Sequence, residues 1–142
     1  MTSHTIDLSN WVIEGLGLGT ASVTIPSGSI AANGFFLISN FNKATSRINV
    51  DSDFVTISVS LVDTGELLTL KNNFGTTIDI ANQASGGWFA GETTTPKKSM
   101  ERKDPPDDGT SNGKWKNAST HTNMDGSSST DEFGTPRAAN PI

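Results

Sequence analysis

A chain of 142 residues is long enough to bury one hydrophobic core and too short for two. Hydrophobic residues at 33% and charged residues at 18% are low for a compact enzyme; Gly, Ser, Thr and Asn make up the difference, which suits short strands joined by polar loops. The lack of cysteine excludes disulfides, thiolate metal sites and cysteine nucleophiles, and a net charge of −5, carried wholly by residues 1–95, excludes the basic footprint of a nucleic-acid binder.

No run approaches the roughly 20 apolar residues that span a bilayer, so no membrane insertion is expected. Met1 to His4 has neither the basic nor the apolar part of a signal peptide, and the opening reads as an internal segment given a start codon. Helical periodicity is missing throughout, while strand signals are frequent.

In chain order, Ile6 to Ile13 is the first strand region. Ile6 and Leu8 share one parity and Trp11 and Ile13 the other, which places a turn or bulge at Ser9-Asn10. Gly15-Leu-Gly-Leu-Gly19 reads as a loop or hairpin tip and not as a phosphate cradle, because no helix pattern follows it. Ala21 to Ile25 is a strand ended by Pro26-Ser-Gly-Ser29. Phe35 to Ile38 is a short apolar strand expected to be buried on both faces.

Phe54 to Leu61 is the clearest alternation in the chain. Val55, Ile57, Val59 and Leu61 form an apolar face and Thr56, Ser58 and Ser60 a polar one, as in a half-buried strand. Glu66 to Leu70 and Thr76 to Ile80 flank Asn72-Asn-Phe-Gly75 as a hairpin. Ser99 to Lys103 is a further strand. Pro105, Pro106, Asp107, Asp108 and Gly109 forbid a ladder from Asp104 to Thr110, and Asn123 to Thr130 reads as a flexible loop.

About seven strands separated by turns argue for an all-β, two-sheet sandwich with an immunoglobulin-like path and long polar loops. The whole chain, 1–142, reads as one domain: a core from about 6 to 103, and an irregular segment 104–142 that packs back on it. The expected core comprises Trp11, Phe35, Leu37, Ile57, Leu68, Leu70 and Trp115. Trp88 and Phe89, in a glycine-rich loop, are the candidates for an aromatic contact surface. Asp104, Asp107 and Asp108, near Asn112, are the candidate ligands for calcium, but their spacing is not that of an EF-hand loop and turn chemistry is the preferred account of them. No other cofactor is expected. No nucleophile elbow surrounds any serine, nothing selects a carboxylate pair, and His121 and Ser119 lie in no motif. Glu101-Arg102 reads as a structural ion-pairing segment, and Asn117-Ala-Ser119 as a chance sequon.

The order of small motifs carries a resemblance. Leu8-Ser-Asn-Trp11 is followed by Ile25-Pro-Ser-Gly28, Ala32-Asn-Gly-Phe-Phe-Leu-Ile38, Gly65-Glu-Leu-Leu-Thr-Leu70 and Phe74-Gly-Thr-Thr-Ile-Asp79. Then come Gly86-Gly-Trp88, Lys98-Ser-Met-Glu-Arg102, Trp115 and Thr135-Pro-Arg-Ala-Ala-Asn140. From Leu8 to Asn140 this series resembles the prokaryotic lamin-tail domain family, in which segments of the type LSGW, IP.G, GGYLVI, SLER and TPGAPN recur in that order. Arg137 and Ala139 depart most, standing where the family has Gly and Pro. The family's two opening strands, before LSGW, have no counterpart here, which implies an open sheet edge completed by another chain or by residues outside this sequence.

The resemblance implies a non-catalytic binding or attachment module of a secreted or cell-surface protein. Its partner would be a protein or a cell-surface polymer. Two alternatives follow from the same resemblance: a building block of a surface layer or filament assembled by strand complementation, and an accessory domain of an extracellular nuclease or phosphoesterase.

Overall fold

The computed structural model describes residues 3–125 and 132–142. Residues that accept left-handed backbone fix the first reversals. Asn10 has φ 63°, and the Trp11 amide donates to the Leu8 carbonyl at 3.0 Å. Asp7 supports this turn, its carboxylate accepting from the Ser9 amide at 2.8 Å and the Ser9 hydroxyl at 2.6 Å. The turn divides β1 (Ile6–Asp7) from β2 (Val12–Gly15) and accounts for the change of parity.

β2 leads into β3 (Ala21–Thr24) through a tip in which Gly15, Gly17, Leu18 and Gly19 all have positive φ. Three of those four are glycine, which enters that region without a Cβ clash. β7 (Leu68–Lys71) and β8 (Thr77–Ala81) form the hairpin read from the sequence. Its tip is closed by the Asn72 side chain, whose Oδ1 accepts from the Phe74 and Thr76 amides at 3.0 and 2.9 Å. These four strands make one antiparallel sheet in the order β3-β2-β7-β8.

The other pairings are short. β1 pairs with β4 (Ser29–Ile30), and β10 (Met100–Arg102) with β11 (Trp115–Asn117), both antiparallel. β5 (Ile38–Ser39) with β6 (Phe54–Val55) and β9 (Lys97–Lys98) with β12 (Glu132–Phe133) are parallel. The fold is all-β, with multiple ladders consistent with a sandwich, and among the described residues it has twelve short strands where about seven longer ones were expected. The expected loop at Asn123 to Thr130 falls largely outside the described residues.

The buried apolar core consists of Leu8, Leu16, Val23, Ile25 and Ala118. Trp11, Leu37, Leu68, Leu70 and Trp115 are only half-buried. Two expected core residues are on the surface: Ile57 is 89% exposed and Phe35 41%. For Phe35 the cause is that its neighbour takes the inward place. The Phe36 ring lies so close to Gly28 that a Cβ there would sit 2.6 Å from it.

For Ile57 the strand itself stops short. After Val55 the Thr56 carbonyl accepts from the Val59 amide at 3.2 Å and the Thr56 hydroxyl from the Ser58 amide at 3.3 Å. The residues read as a polar strand face instead close a local turn. Val55, Ile57 and Leu61 are left exposed.

Candidate binding groove

The β7–β8 hairpin carries Leu68 and Ala81 to one wall of a groove of about 810 Å³. Met100 and Trp115, on β10 and β11, form the facing wall, and Trp88 lies between them. The lining is predominantly apolar, with polar groups at the rim, the usual character of a ligand site.

Trp88 is placed by its loop. Gly86 and Gly87 have φ of 98° and 90°. Gly65 packs against Gly87 so closely that a Cβ on it would meet the Gly87 carbonyl carbon at 2.4 Å. The indole N–H of Trp88 donates to the Val62 carbonyl at 2.8 Å.

Asn82 clamps the same loop. It is 0% exposed with φ 68°. Its side-chain N–H groups donate to the carbonyls of Glu66 at 3.0 Å and Gly87 at 3.1 Å, and its Oδ1 accepts from the Phe89 amide at 3.0 Å. Glu66, also buried, receives the Val62 amide at 2.9 Å. The loop is therefore held by these polar contacts, although the second carboxylate oxygen of Glu66 has no hydrogen-bond partner among the described residues.

Trp115 is held in a similar way. Its indole N–H donates to the Gly109 carbonyl at 2.9 Å. The same carbonyl accepts the Asn82 amide at 3.0 Å. One face of the indole is covered by the Arg102 guanidinium, 4.9 Å from the ring centroid. Arg102 is itself oriented by a two-pronged ion pair with Asp79 and a hydrogen bond to the Ile80 carbonyl at 2.9 Å. Gly109 admits no side chain, since a Cβ would lie 1.7 Å from Arg102 Nη2 and 1.8 Å from the Ile80 carbonyl oxygen.

At the rim, Glu92 is engaged by Lys98 at 2.9 Å and by the Asn117 amide at 2.6 Å. That contact uses the nitrogen a glycan would need at the sequon. Asp63 is exposed beside it.

Of the two aromatic candidates, Trp88 lines the groove, while Phe89 is half-buried with its amide held by Asn82. The three candidate calcium ligands are not brought together. Asp107 pairs with Lys114 at 2.5 Å, Asp108 accepts the Thr110 hydroxyl and amide at 2.6 and 2.9 Å, and among the described residues no group of three or more acidic or histidine side chains is placed to hold a metal ion. These contacts hold both carboxyls below the ordinary aspartate value: Lys114 first for Asp107, then the Asp108 amide, and the Thr110 hydroxyl and amide for Asp108. His121 is occupied with the Glu132 carbonyl at 3.2 Å.

Asn82, Glu66 and Gly109 escaped the sequence reading. Only an Asn between two periodic segments and a Gly within a Pro/Asp turn hinted at them, and neither pattern distinguishes a buried hub from an ordinary loop residue.

Comparison with protein-family models, with curated proteins and with solved structures finds no match for this chain. Among the described residues no helix is long and apolar enough to cross a membrane.

Proposed function

We propose that the protein is a non-catalytic binding module whose contact surface is the groove between Trp88 and Trp115, serving attachment to a protein or a cell-surface polymer. The observation that carries this reading is the aromatic floor itself. Both indoles have their N–H groups satisfied by backbone carbonyls, so what each has left to offer a partner is apolar surface. The rim carboxylate Glu92 is already neutralised by Lys98, which suits contact better than proton transfer. The lamin-tail resemblance agrees with this reading and adds a secreted or cell-surface location.

The test is co-sedimentation of the purified chain with insoluble cell-wall polysaccharide and with intact cells, followed by tryptophan fluorescence. The wild type is expected to pellet and Trp88→Ala to stay in solution with an unchanged circular dichroism spectrum. Equal pelleting of a folded Trp88→Ala protein removes the groove from the reading.

A second reading rests on a different observation. Val55, Ile57 and Leu61 have the alternation of a strand but stand exposed where β6 ends, as would suit a building block that completes its sheets with a neighbouring chain. Ile57→Thr is expected to leave the urea midpoint unchanged and to abolish any concentration-dependent assembly in sedimentation velocity. A wild type that stays monomeric up to millimolar concentration defeats this second reading.

A further inference from the structure

β10 presents its side chains to opposite faces, as any strand does. Arg102 turns its guanidinium toward Asp79 and Trp115. Glu101 turns the other way, toward the C-terminal segment, and lines a separate cavity of about 340 Å³. It is 4% exposed.

The floor of that cavity has more acceptors than protons. The Thr135 hydroxyl lies 2.9 Å from Glu101 Oε1 and 2.7 Å from Asn140 Oδ1. A hydroxyl carries one proton, so it serves only one of these oxygens at a time. One of the two Asn140 amide N–H groups donates to the Arg102 carbonyl at 2.8 Å. Glu101 Oε2 has no donor.

A buried acceptor without a donor is destabilising, and more so when it is charged. The adjacent cation, Arg102, makes no hydrogen bond to Glu101: its two terminal nitrogens go to Asp79 and the Ile80 carbonyl, and its Nε has no partner among the described residues. Arg102 and Met100 of β10 also line the cavity, together with Ile48, Met124, Phe133 and Pro136. An unbranched thioether such as Met124 yields readily to a guest.

A ligand matched to this cavity has a positive charge, several N–H donors at one end and a slim apolar stem. We propose that the cavity beside Glu101 binds a primary ammonium group on an unbranched alkyl chain, with Glu101 as counter-charge and Thr135 and Asn140 as the other acceptors. Free aliphatic amines and lysine side chains share this chemistry. The site differs from the tryptophan groove in most of its lining and shares Ser99 and Met100 with it.

The test is an amide NMR titration of the intact chain at pH 7 and constant ionic strength. The probes are n-butylammonium, the Nα-acetyl methylamide of lysine, n-butanol and tetramethylammonium. Saturable shifts at Glu101, Phe133, Gly134 and Thr135 are expected with the first two probes and not with the last two. Tighter binding of the lysine derivative assigns a peptide source, and tighter binding of butylammonium a free amine. Glu101→Gln is expected to weaken binding at least tenfold. Equal responses to butanol or tetramethylammonium, shifts confined to other residues, no shifts at all, or undiminished binding by a folded Glu101→Gln protein would each overturn the proposal. The four-probe comparison on the wild type decides the matter even where that variant does not fold.

Discussion

Replacing Asn82 by alanine removes three hydrogen bonds from a site that is 0% exposed. At about 1 kcal/mol net for each bond, their loss costs about 3 kcal/mol. Alanine must also hold φ near 68°, where an L-residue is disfavoured by about 1 kcal/mol or more. The expected destabilisation is therefore about 4 kcal/mol, a large share of the roughly 5–15 kcal/mol available to a domain.

Two companion variants separate the contributions. Asn82→Gly loses the same bonds but accepts the backbone, so it should be about 1 kcal/mol more stable than Asn82→Ala. Asn82→Asp keeps the acceptor for Phe89 but turns a carboxylate toward the carbonyls of Glu66 and Gly87. It should be the worst of the three, because a buried charge without a partner is the costliest outcome. Urea unfolding followed by tryptophan fluorescence gives all three values. An alanine variant within about 1 kcal/mol of wild type, or a glycine variant no better than alanine, would refute the clamp.

Gly109→Ala should destabilise the chain by at least about 3 kcal/mol, since its Cβ collides with both Arg102 and the Ile80 carbonyl; a thermal unfolding midpoint near wild type would contradict this. In the 107–110 turn, Asp108 has its carboxyl held below the ordinary 3.8 by Thr110. A lowered folded-state value means the contribution is fully present above 3.8 and is lost as pH falls through the folded value. Carbon-detected titration should place the Asp108 midpoint below 3.8, and Thr110→Val should raise it; a midpoint at or above 3.8 in the wild type would be inconsistent with the turn.

Much of the strand order was legible because it depends on local chemistry. Asn10 and the Asn72 to Gly75 tip announce their turns, and the β7–β8 hairpin has the expected flanks. The Phe54 to Leu61 segment shows where that reading fails. Alternation states which side chains would share a face, but a strand also needs a backbone partner beyond Thr56, whose amide makes the last bond to Ser39. Without one, Thr56 supplies nearer acceptors and the chain turns. The same gap separates Phe35 from Phe36: both fit the pattern, and only the tight approach to Gly28 decides which is inside. Of the groove, Trp88 was legible as a large aromatic among glycines. Its clamp was not, because a buried Asn differs from a turn Asn only in what surrounds it.

One carbonyl, that of Gly109, receives both the Asn82 amide and the Trp115 indole. Asn82 in turn holds Gly87, next to Trp88. The two indoles are thus linked through the Gly109 carbonyl and Asn82, whose backbone holds one end and whose side chain holds the other. Under the proposed binding function, a guest that fits would meet a preorganised gauge and lose little of its affinity to ordering the host. One slightly too wide must break this shared junction to enter.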